Sequence, residues 1–129
     1  MKYLLDTHVM LWLANEADRV PANVQDELIE ASGRVVSSAS AMEISLKTRL
    51  GKLTGGAAVV NGWQRILTSF LAEELPLSAQ HMLLAGGMDW QHRDPFDRML
   101  VAQAMVEGLV LVTTDRAIID YPDVETLSW

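Results

Sequence analysis

The chain has 129 residues, of which 50% are hydrophobic and 21% charged, a composition typical of one globular domain spanning residues 1–129. It contains no cysteine, which excludes disulfides, thiolate metal sites and cysteine nucleophiles. The formal net charge of −7 argues against a nucleic-acid binder that relies on basic residues. An acidic cluster that binds divalent cations could still hold a polyanion, because the cations reverse the local charge. The same acidity favours a small basic protein as a partner.

The N-terminal sequence MKYLLD is not typical of a signal peptide, because the charged Asp6 interrupts the apolar run. No segment approaches the roughly 20 consecutive apolar residues that cross a bilayer as a helix. We therefore expect a cytoplasmic protein that does not interact with membranes.

In chain order, the first half predicts a strand over 2–5, a helix over 7–17, a helix over 21–32, a strand over 34–37 and a helix over 40–50. The helix after Asp6 is apolar nearly all round, so it should be buried on more than one side and carry more apolar surface than one small core covers. Pro21 suits the first turn of the next helix, and Gly51 ends the last one.

In chain order, the second half predicts a helix over 58–72, an extended piece over 75–77, helices over 78–87 and 94–107, a strand over 109–112, a short helix over 115–120 and a strand over 124–127. The strand LVLV is apolar throughout, as in a parallel sheet buried on both faces. Alternating strands and helices therefore predict an α/β fold, with a mainly parallel five-stranded sheet flanked by helices on both faces.

Four carboxylates are expected to meet at one edge of this sheet. Asp6 and Asp115 follow two of the strands, while Glu43 and Asp97 each lie in the first turn of a helix that starts from the same edge. Ligands of open parallel sheets bind at this edge, where the strand order reverses. Carboxylates are the donors that Mg²⁺ and Mn²⁺ prefer, so the pattern predicts a divalent-metal site.

Each of these acids also has a purely structural interpretation as a helix cap. Asp6 and Asp115 can cap the helices that follow them, and the segment from Ser40 to Glu43 fits a Ser-x-x-Glu capping box. Asp94, before a proline, is interpreted as the N-cap of its helix, with an outer-sphere role at the site as the alternative. Capping alone gives no reason to collect carboxylates at one edge, because crowded charges repel.

Other polar residues give weaker signals. The three histidines, His8, His81 and His92, lack metal-ligand spacing and are interpreted as structural or surface residues. Lys47 lies four residues after Glu43, which is typical of a local ion pair. The remaining candidates for contacts to phosphate are five cations: Lys47, Arg49, Lys52, Arg93 and Arg98.

Two other enzyme classes with an acidic site on a parallel sheet fit less well. A phosphoacceptor receiver domain needs a lysine after a late strand, and no lysine follows Lys52. A haloacid-dehalogenase-type phosphatase needs a second aspartate two residues after the first, where this chain has His8.

Several motifs together resemble the PIN-domain ribonucleases, specifically the VapC-type toxins of type II toxin–antitoxin systems. They are LLDTH at 4–8, SSASAMEI at 37–44, HRDPFDRMLVAQA at 92–104, EGL at 107–109 and VTTD at 112–115. Each motif alone is weak evidence. Together, in this order and at this spacing, the motifs are strong evidence, and the resemblance covers essentially the whole chain.

The resemblance implies metal coordination by Asp6, Glu43, Asp97 and Asp115. It implies supporting roles for Thr7 and Thr113, and Lys47, Arg93 and Arg98 become the candidate RNA contacts. It further implies cleavage of structured RNA with Mg²⁺ or Mn²⁺. One or two cations would bind, about 3.5–4 Å apart if there are two. The resemblance also implies inhibition by a small antitoxin protein, and a homodimer or larger toxin–antitoxin assembly. The alternative is a catalytically inactive PIN-like binding module.

Overall fold

Five parallel strands form the centre of the computed structural model, which describes all of residues 1–129. They are β1 (Lys2–Leu5), β2 (Gly33–Ser37), β3 (Ala72–Leu75), β4 (Val110–Val112) and β5 (Thr126–Leu127). Their order across the sheet is β3-β2-β1-β4-β5, and all neighbouring pairs are parallel. The predicted parallel five-stranded sheet is confirmed.

Eight α-helices connect and cover the strands. They are α1 (Thr7–Asn15), α2 (Ala22–Glu30), α3 (Ser38–Arg49), α4 (Gly56–Asn61), α5 (Trp63–Ser69), α6 (Ala79–Gly87), α7 (Pro95–Glu107) and α8 (Arg116–Ile119). A short 3₁₀ turn, Ala17–Arg19, follows α1. None of the helices combines the length and apolarity needed to traverse a bilayer.

Side chains point alternately to the two faces of the sheet along each strand, and the result is two hydrophobic cores, one on each face. Leu5 of β1 belongs to a core completed by α1 to α5, whereas its neighbour Leu4 belongs to a second core completed by α6 to α8. Successive side chains of a strand point to opposite faces, so an apolar run such as β4 supplies both cores at once. The predicted helices on both faces are therefore confirmed.

The order in which strands are added to the sheet reverses at β1. The first three strands add in one direction from β1, and β4 then returns to its other side, so the crevice beyond the carboxyl ends of β1 and β4 is a switch point. The hydrogen-bond ladder between β1 and β4 extends to Asp6, whose backbone N–H donates to the carbonyl of Val112 at 3.0 Å.

The predicted capping box of α3 is wrong. The helix begins two residues earlier than expected, and Ser37 is its N-cap, accepting from the backbone N–H of Ala39 at 2.9 Å. Ser40 is fully buried inside the helix, and its hydroxyl lies 2.9 Å from the hydroxyl of Thr7. Glu43 consequently lies in the second turn of α3 rather than the first.

Other predicted boundaries shift as well. Pro21 precedes α2 as its N-cap instead of entering the first turn, and α1 ends at Asn15 rather than residue 17. The helix expected over 58–72 is two helices that meet at Gly62. The strand expected over 75–77 is instead β3, which spans Ala72–Leu75 and ends there because Pro76 has no N–H with which to continue the ladder.

The expectation that α1 leaves apolar surface uncovered is also wrong. Its Leu11, Trp12 and Leu13 are partly buried against the first core, and no large hydrophobic residue of α1 is exposed. Exposed apolar side chains occur elsewhere, for example Met42 on α3 and Leu83 on α6.

Arg98 is bonded to the backbone rather than presented to solvent. Its guanidinium donates to four carbonyls at 2.7 to 3.0 Å: those of Ala85, Met88, Trp90 and His92. These bonds fix the segment between α6 and α7 that leads to Asp94. The fork of donors is thus used within the fold, which argues against the predicted RNA contact at Arg98.

We expect Arg98→Lys to lower the free energy of unfolding by about 2–4 kcal/mol, because one ammonium cannot satisfy four carbonyls in fixed positions. Urea unfolding at neutral pH measures this. Arg65→Lys is the matched control, since Arg65 is exposed and its replacement should change stability little. Equal effects of the two substitutions would show that the carbonyl bonds do not matter.

Candidate active site

Asp6 lies at the carboxyl end of β1 and caps α1. Its Oδ1 accepts from the backbone N–H of Thr7 at 2.7 Å, and its Oδ2 accepts from the hydroxyl of Thr113 at 2.6 Å. His8 Nδ1 lies 3.3 Å from the same Oδ2. Burial raises the pKa of Asp6 above its ordinary value, and these three partners only partly oppose the shift. The carboxylate is therefore held rigidly at the edge of the sheet.

Asp97 lies in the first turn of α7, whose N-cap is Asp94. The Oδ1 of Asp94 accepts from the backbone N–H of Phe96 at 2.9 Å, as predicted, and Asp97 Oδ2 lies 2.7 Å from His92 Nε2. Burial raises the pKa of Asp97 to about 7; His92 opposes the shift, and the charges of Asp94, Asp6 and Asp115 add to it. The acids thus act on one another.

Glu43 reaches the site from the middle of α3, where it is only 6% exposed. The Nζ of Lys47 lies 2.5 Å from its Oε2, so the predicted local ion pair is present. The hydrogen bond that Lys47 donates to Glu43 raises the pKa of Lys47, although partial burial opposes the shift. This lysine therefore brings a positive charge to the acids.

Asp115 completes the predicted set from the end of the loop after β4. Its Oδ1 accepts from the backbone N–H of Ala117 at 3.0 Å, which caps α8. Its own backbone N–H donates to the hydroxyl of Thr113 at 3.0 Å. Thr113 thereby binds both Asp6 and Asp115, as expected of a supporting residue.

These side chains line one cavity of about 280 Å³ at the switch point. Its lining residues are Asp6, Thr7, His8, Leu11, Glu43, Ile44, Lys47, Lys52, Leu53, Asp94, Asp97 and Asp115. All four predicted acids are brought together, and so is Thr7. Arg93 is exposed nearby but does not line the cavity.

Asp94 lines the cavity as well as capping α7, which fits the alternative role at the site that the sequence left open. Sequence reasoning missed two residues of the site, His8 and His92, which each lie against a buried carboxylate. Their positions gave a signal, because each histidine is two residues from an aspartate at the predicted edge. By contrast, His81 is structural as predicted: it is buried and bonded to Ser78 and Glu107.

The donor set fits a hard divalent cation. Five carboxylates surround the cavity, and only two ammonium groups, those of Lys47 and Lys52, balance them. The ligand atoms of His92, Asp94 and Asp97 all lie within 4.8 Å of one another, close enough to hold one ion. Carboxylate oxygens are the ligands that Mg²⁺ and Mn²⁺ prefer, and bound cations would relieve the repulsion.

A cavity of about 310 Å³ between α1, α2 and α5 lacks such chemistry. Seven of its ten lining residues are hydrophobic, and its only charged one is Arg34, which donates to the backbone carbonyls of Leu28 and Phe70. The acidic cavity is therefore the candidate active site.

A family model of the PIN domain matches residues 3–124, almost the entire chain. The chain belongs to the PIN-domain family. The acidic edge described above is thus the edge of a PIN domain.

Solved structures share this fold over nearly their whole length. VapBC2 from Rickettsia felis, bound to a DNA fragment from its promoter, has a TM-score of 0.69 at 20% identity and covers 100% of this chain and 99% of its own. DNA-bound VapBC from Salmonella typhimurium has a TM-score of 0.68 at 23% identity, with 100% and 98% covered. FitAcB from Neisseria gonorrhoeae has a TM-score of 0.71 at 20% identity, with 97% and 96% covered. No curated protein sequence matches the chain significantly.

The raised pKa of Asp97 predicts a pH-dependent effect of Asp97→Asn on stability. Between its ordinary value of 3.8 and about 7, the folded protein retains a proton that the unfolded chain has lost, so stability falls as pH rises through this window. In EDTA, Asp97→Asn should melt above wild type at pH 8, and the difference should shrink towards pH 4.5. Thermal melts across this range measure it.

Bound Mn²⁺ should relieve at pH 8 the same charge repulsion that protonation of Asp97 relieves at lower pH. At pH 8 and ten times its Kd, it should raise the wild-type melting temperature by about 3–6 °C, and Asp97→Asn should reduce that rise. The control is Asp26→Asn on the exposed face of α2, which should leave both effects unchanged. If Asp97→Asn melts below wild type at pH 8 and wild type ignores Mn²⁺, the acids are structural caps.

Proposed function

We propose that this protein is a divalent-metal-dependent endoribonuclease that acts as the toxin of a toxin–antitoxin pair. The observation that carries the proposal is the single cavity lined by Asp6, Glu43, Asp97 and Asp115. Membership of the PIN-domain family supports a nuclease, and the shared fold with the VapBC and FitAcB chains supports a toxin. A protein that cleaves cellular RNA would act in the cytoplasm.

The four acids would hold Mg²⁺ or Mn²⁺ against the scissile phosphate. A bound divalent cation neutralises phosphate charge and activates water for attack on phosphorus. Thr113 fixes the orientation of Asp6 through its hydroxyl, and Thr7 links α1 to α3 through Ser40. Residues of this kind keep the ligands in place, so their loss weakens metal binding.

The cations of the chain itself would help to hold RNA. Lys47 is fixed beside Glu43, and Lys52 lines the same cavity, so two of the three lysines in the sequence border the acids. Arg93 is exposed immediately before Asp94 and could bind a more distant phosphate. Local positive charge of this kind lets an acidic protein bind a polyanion.

Cleavage of RNA should require both the metal and the acids. We expect Asp6→Asn and Asp97→Asn to lower the cleavage rate more than about 100-fold, since residues that only support metal ligands change activity about 10–100-fold. Thr113→Val removes the hydroxyl that bonds to Asp6 and to the backbone of Asp115, and it should lower the cleavage rate by about 10–100-fold. Total RNA incubated with purified protein in Mg²⁺, Mn²⁺ or EDTA provides the assay.

The matched control for charge is Asp26→Asn, which should cleave like wild type. Cleavage that persists in excess EDTA would contradict metal dependence. If wild-type protein binds RNA in Mn²⁺ but never cuts it, the chain is instead the inactive PIN-like binding module.

The antitoxin in this proposal is a small basic protein. Its lysine or arginine could enter the acidic cavity and replace the cations as counter-charge. The protein should also self-associate, since exposed apolar residues such as Met42 on α3 and Val60 on α4 remain to be covered.

Metal and antitoxin should therefore compete. When the chain is co-purified with a small basic protein encoded beside it, Asp97→Asn should weaken the complex, and millimolar Mn²⁺ should weaken the wild-type complex. Light scattering after size exclusion also reports whether the free chain is a dimer. A chain that stays monomeric at high concentration and retains no basic partner would contradict both parts.

A further inference from the structure

A second cavity, of about 370 Å³, lies beside the acidic one. His8, Leu11 and Leu53 line both cavities, so the two adjoin. A chain whose phosphate lies at the acids could therefore extend directly into the second cavity. We refer to this second cavity as the Trp12 pocket.

The Trp12 pocket combines aromatic rings with a cation. The rings of His8 and Trp12 meet edge to face, with centroids 4.8 Å apart. The guanidinium of Arg19 lies over Trp12, 4.5 Å from the centroid of that ring. Aromatic faces and planar guanidinium groups are the surfaces on which unstacked nucleobases stack.

Polar groups border the same pocket. Asn15 brings an amide and Thr54 a hydroxyl, and each can donate and accept a hydrogen bond at the edge of a base. Gly55 has a φ of 79°, which favours glycine, and a Cβ there would lie 3.1 Å from the Asn15 amide nitrogen. A side chain at position 55 would therefore require the Asn15 amide to shift by a few tenths of an ångström.

Arg19 is available to a ligand although it is paired. Its NH1 lies 3.4 Å from Glu16 Oε2, and both side chains are more than half exposed. An exposed ion pair of this kind is weak and screened by salt. A nucleotide can therefore replace Glu16 as the partner of the Arg19 guanidinium at a small cost in free energy.

We propose that the Trp12 pocket binds one nucleobase of a single-stranded RNA, next to the phosphate that the acids would cleave. This inference rests on the proposed ribonuclease function and adds the position that selects or orients the substrate. A base fits better than a peptide side chain, because the pocket adjoins a cavity suited to metal-bound phosphate and offers an aromatic–arginine pair. The pocket would favour unpaired RNA, since a base in a duplex cannot leave its stack freely.

The test uses fluorescein-labelled single-stranded RNA decamers in which one position at a time lacks its base but keeps its phosphates. Binding to the full-length protein is measured by anisotropy in Ca²⁺, and cleavage is measured separately in Mn²⁺. We expect one abasic position, adjacent to the cleaved bond, to weaken binding by about 5- to 150-fold, as for loss of one stacked base.

Substitutions in the Trp12 pocket should remove that position dependence. Arg19→Gln and Asn15→Ala should weaken binding of the intact decamer and make the abasic position nearly neutral. Arg65→Gln, which also removes one exposed arginine charge, should keep the wild-type affinity and profile. Both pocket variants change exposed side chains, so circular dichroism should confirm that they fold.

Each other outcome overturns the assignment. The pocket does not hold a base if no abasic position matters, or if the wild-type profile survives in both pocket variants. Loss of binding to a co-purified protein in Arg19→Gln, with an unchanged RNA profile, would assign the pocket to that protein. Failure of the ribonuclease proposal is distinguishable, because decamers would then bind with the abasic profile but remain uncut.

Discussion

The carboxylate of Asp6 sits at the end of the central strand, 2% exposed, and both of its oxygens are bonded. Removing a charged group from water is unfavourable unless partners replace the lost hydration. The N–H of Thr7 and the hydroxyl of Thr113 supply those partners, so the start of α1 and the end of β4 must meet at this point. Because Thr113 also accepts from the backbone N–H of Asp115, one hydroxyl links the Asp6 carboxylate to the backbone of Asp115.

Capping and metal binding are compatible roles for the same side chains. Asp6, Asp94 and Asp115 each accept backbone N–H groups through Oδ1, which stabilises the first turn of three helices. The caps leave Oδ2 of Asp94 and Asp115 without a hydrogen bond, whereas Oδ2 of Asp6 accepts from Thr113. A carboxylate can accept more than one bond at each oxygen, so capping and metal binding do not exclude each other. What capping does not explain is Asp97, whose pKa of about 7 reflects burial among other acids. Such crowding is unfavourable in a metal-free protein, which is why it indicates a cation site.

Two groups among the ten cations of the chain have different roles. Arg34 and Arg98 donate to backbone carbonyls and stabilise the fold, which makes them unavailable to a ligand. Lys47 and Lys52 instead line the acidic cavity, and Arg19 lines the adjoining Trp12 pocket. An acidic chain can thus present local positive charge where a polyanion would lie, while its overall charge favours a basic partner.

The sequence by itself determined the order of strands and helices, the parallel sheet and the four acids, because apolar runs and acids at strand ends are local signals. It also determined the cap at Asp94, which is set by its neighbour Pro95. Only the tertiary structure decided that Ser40 lies inside α3 against Thr7, that Arg98 binds four carbonyls, and that His92 contacts the buried Asp97. These are contacts between segments distant in sequence or depend on the path of an irregular loop. Periodicity and capping rules describe neighbours along the chain, and they carry no information about which side chains meet when the elements pack.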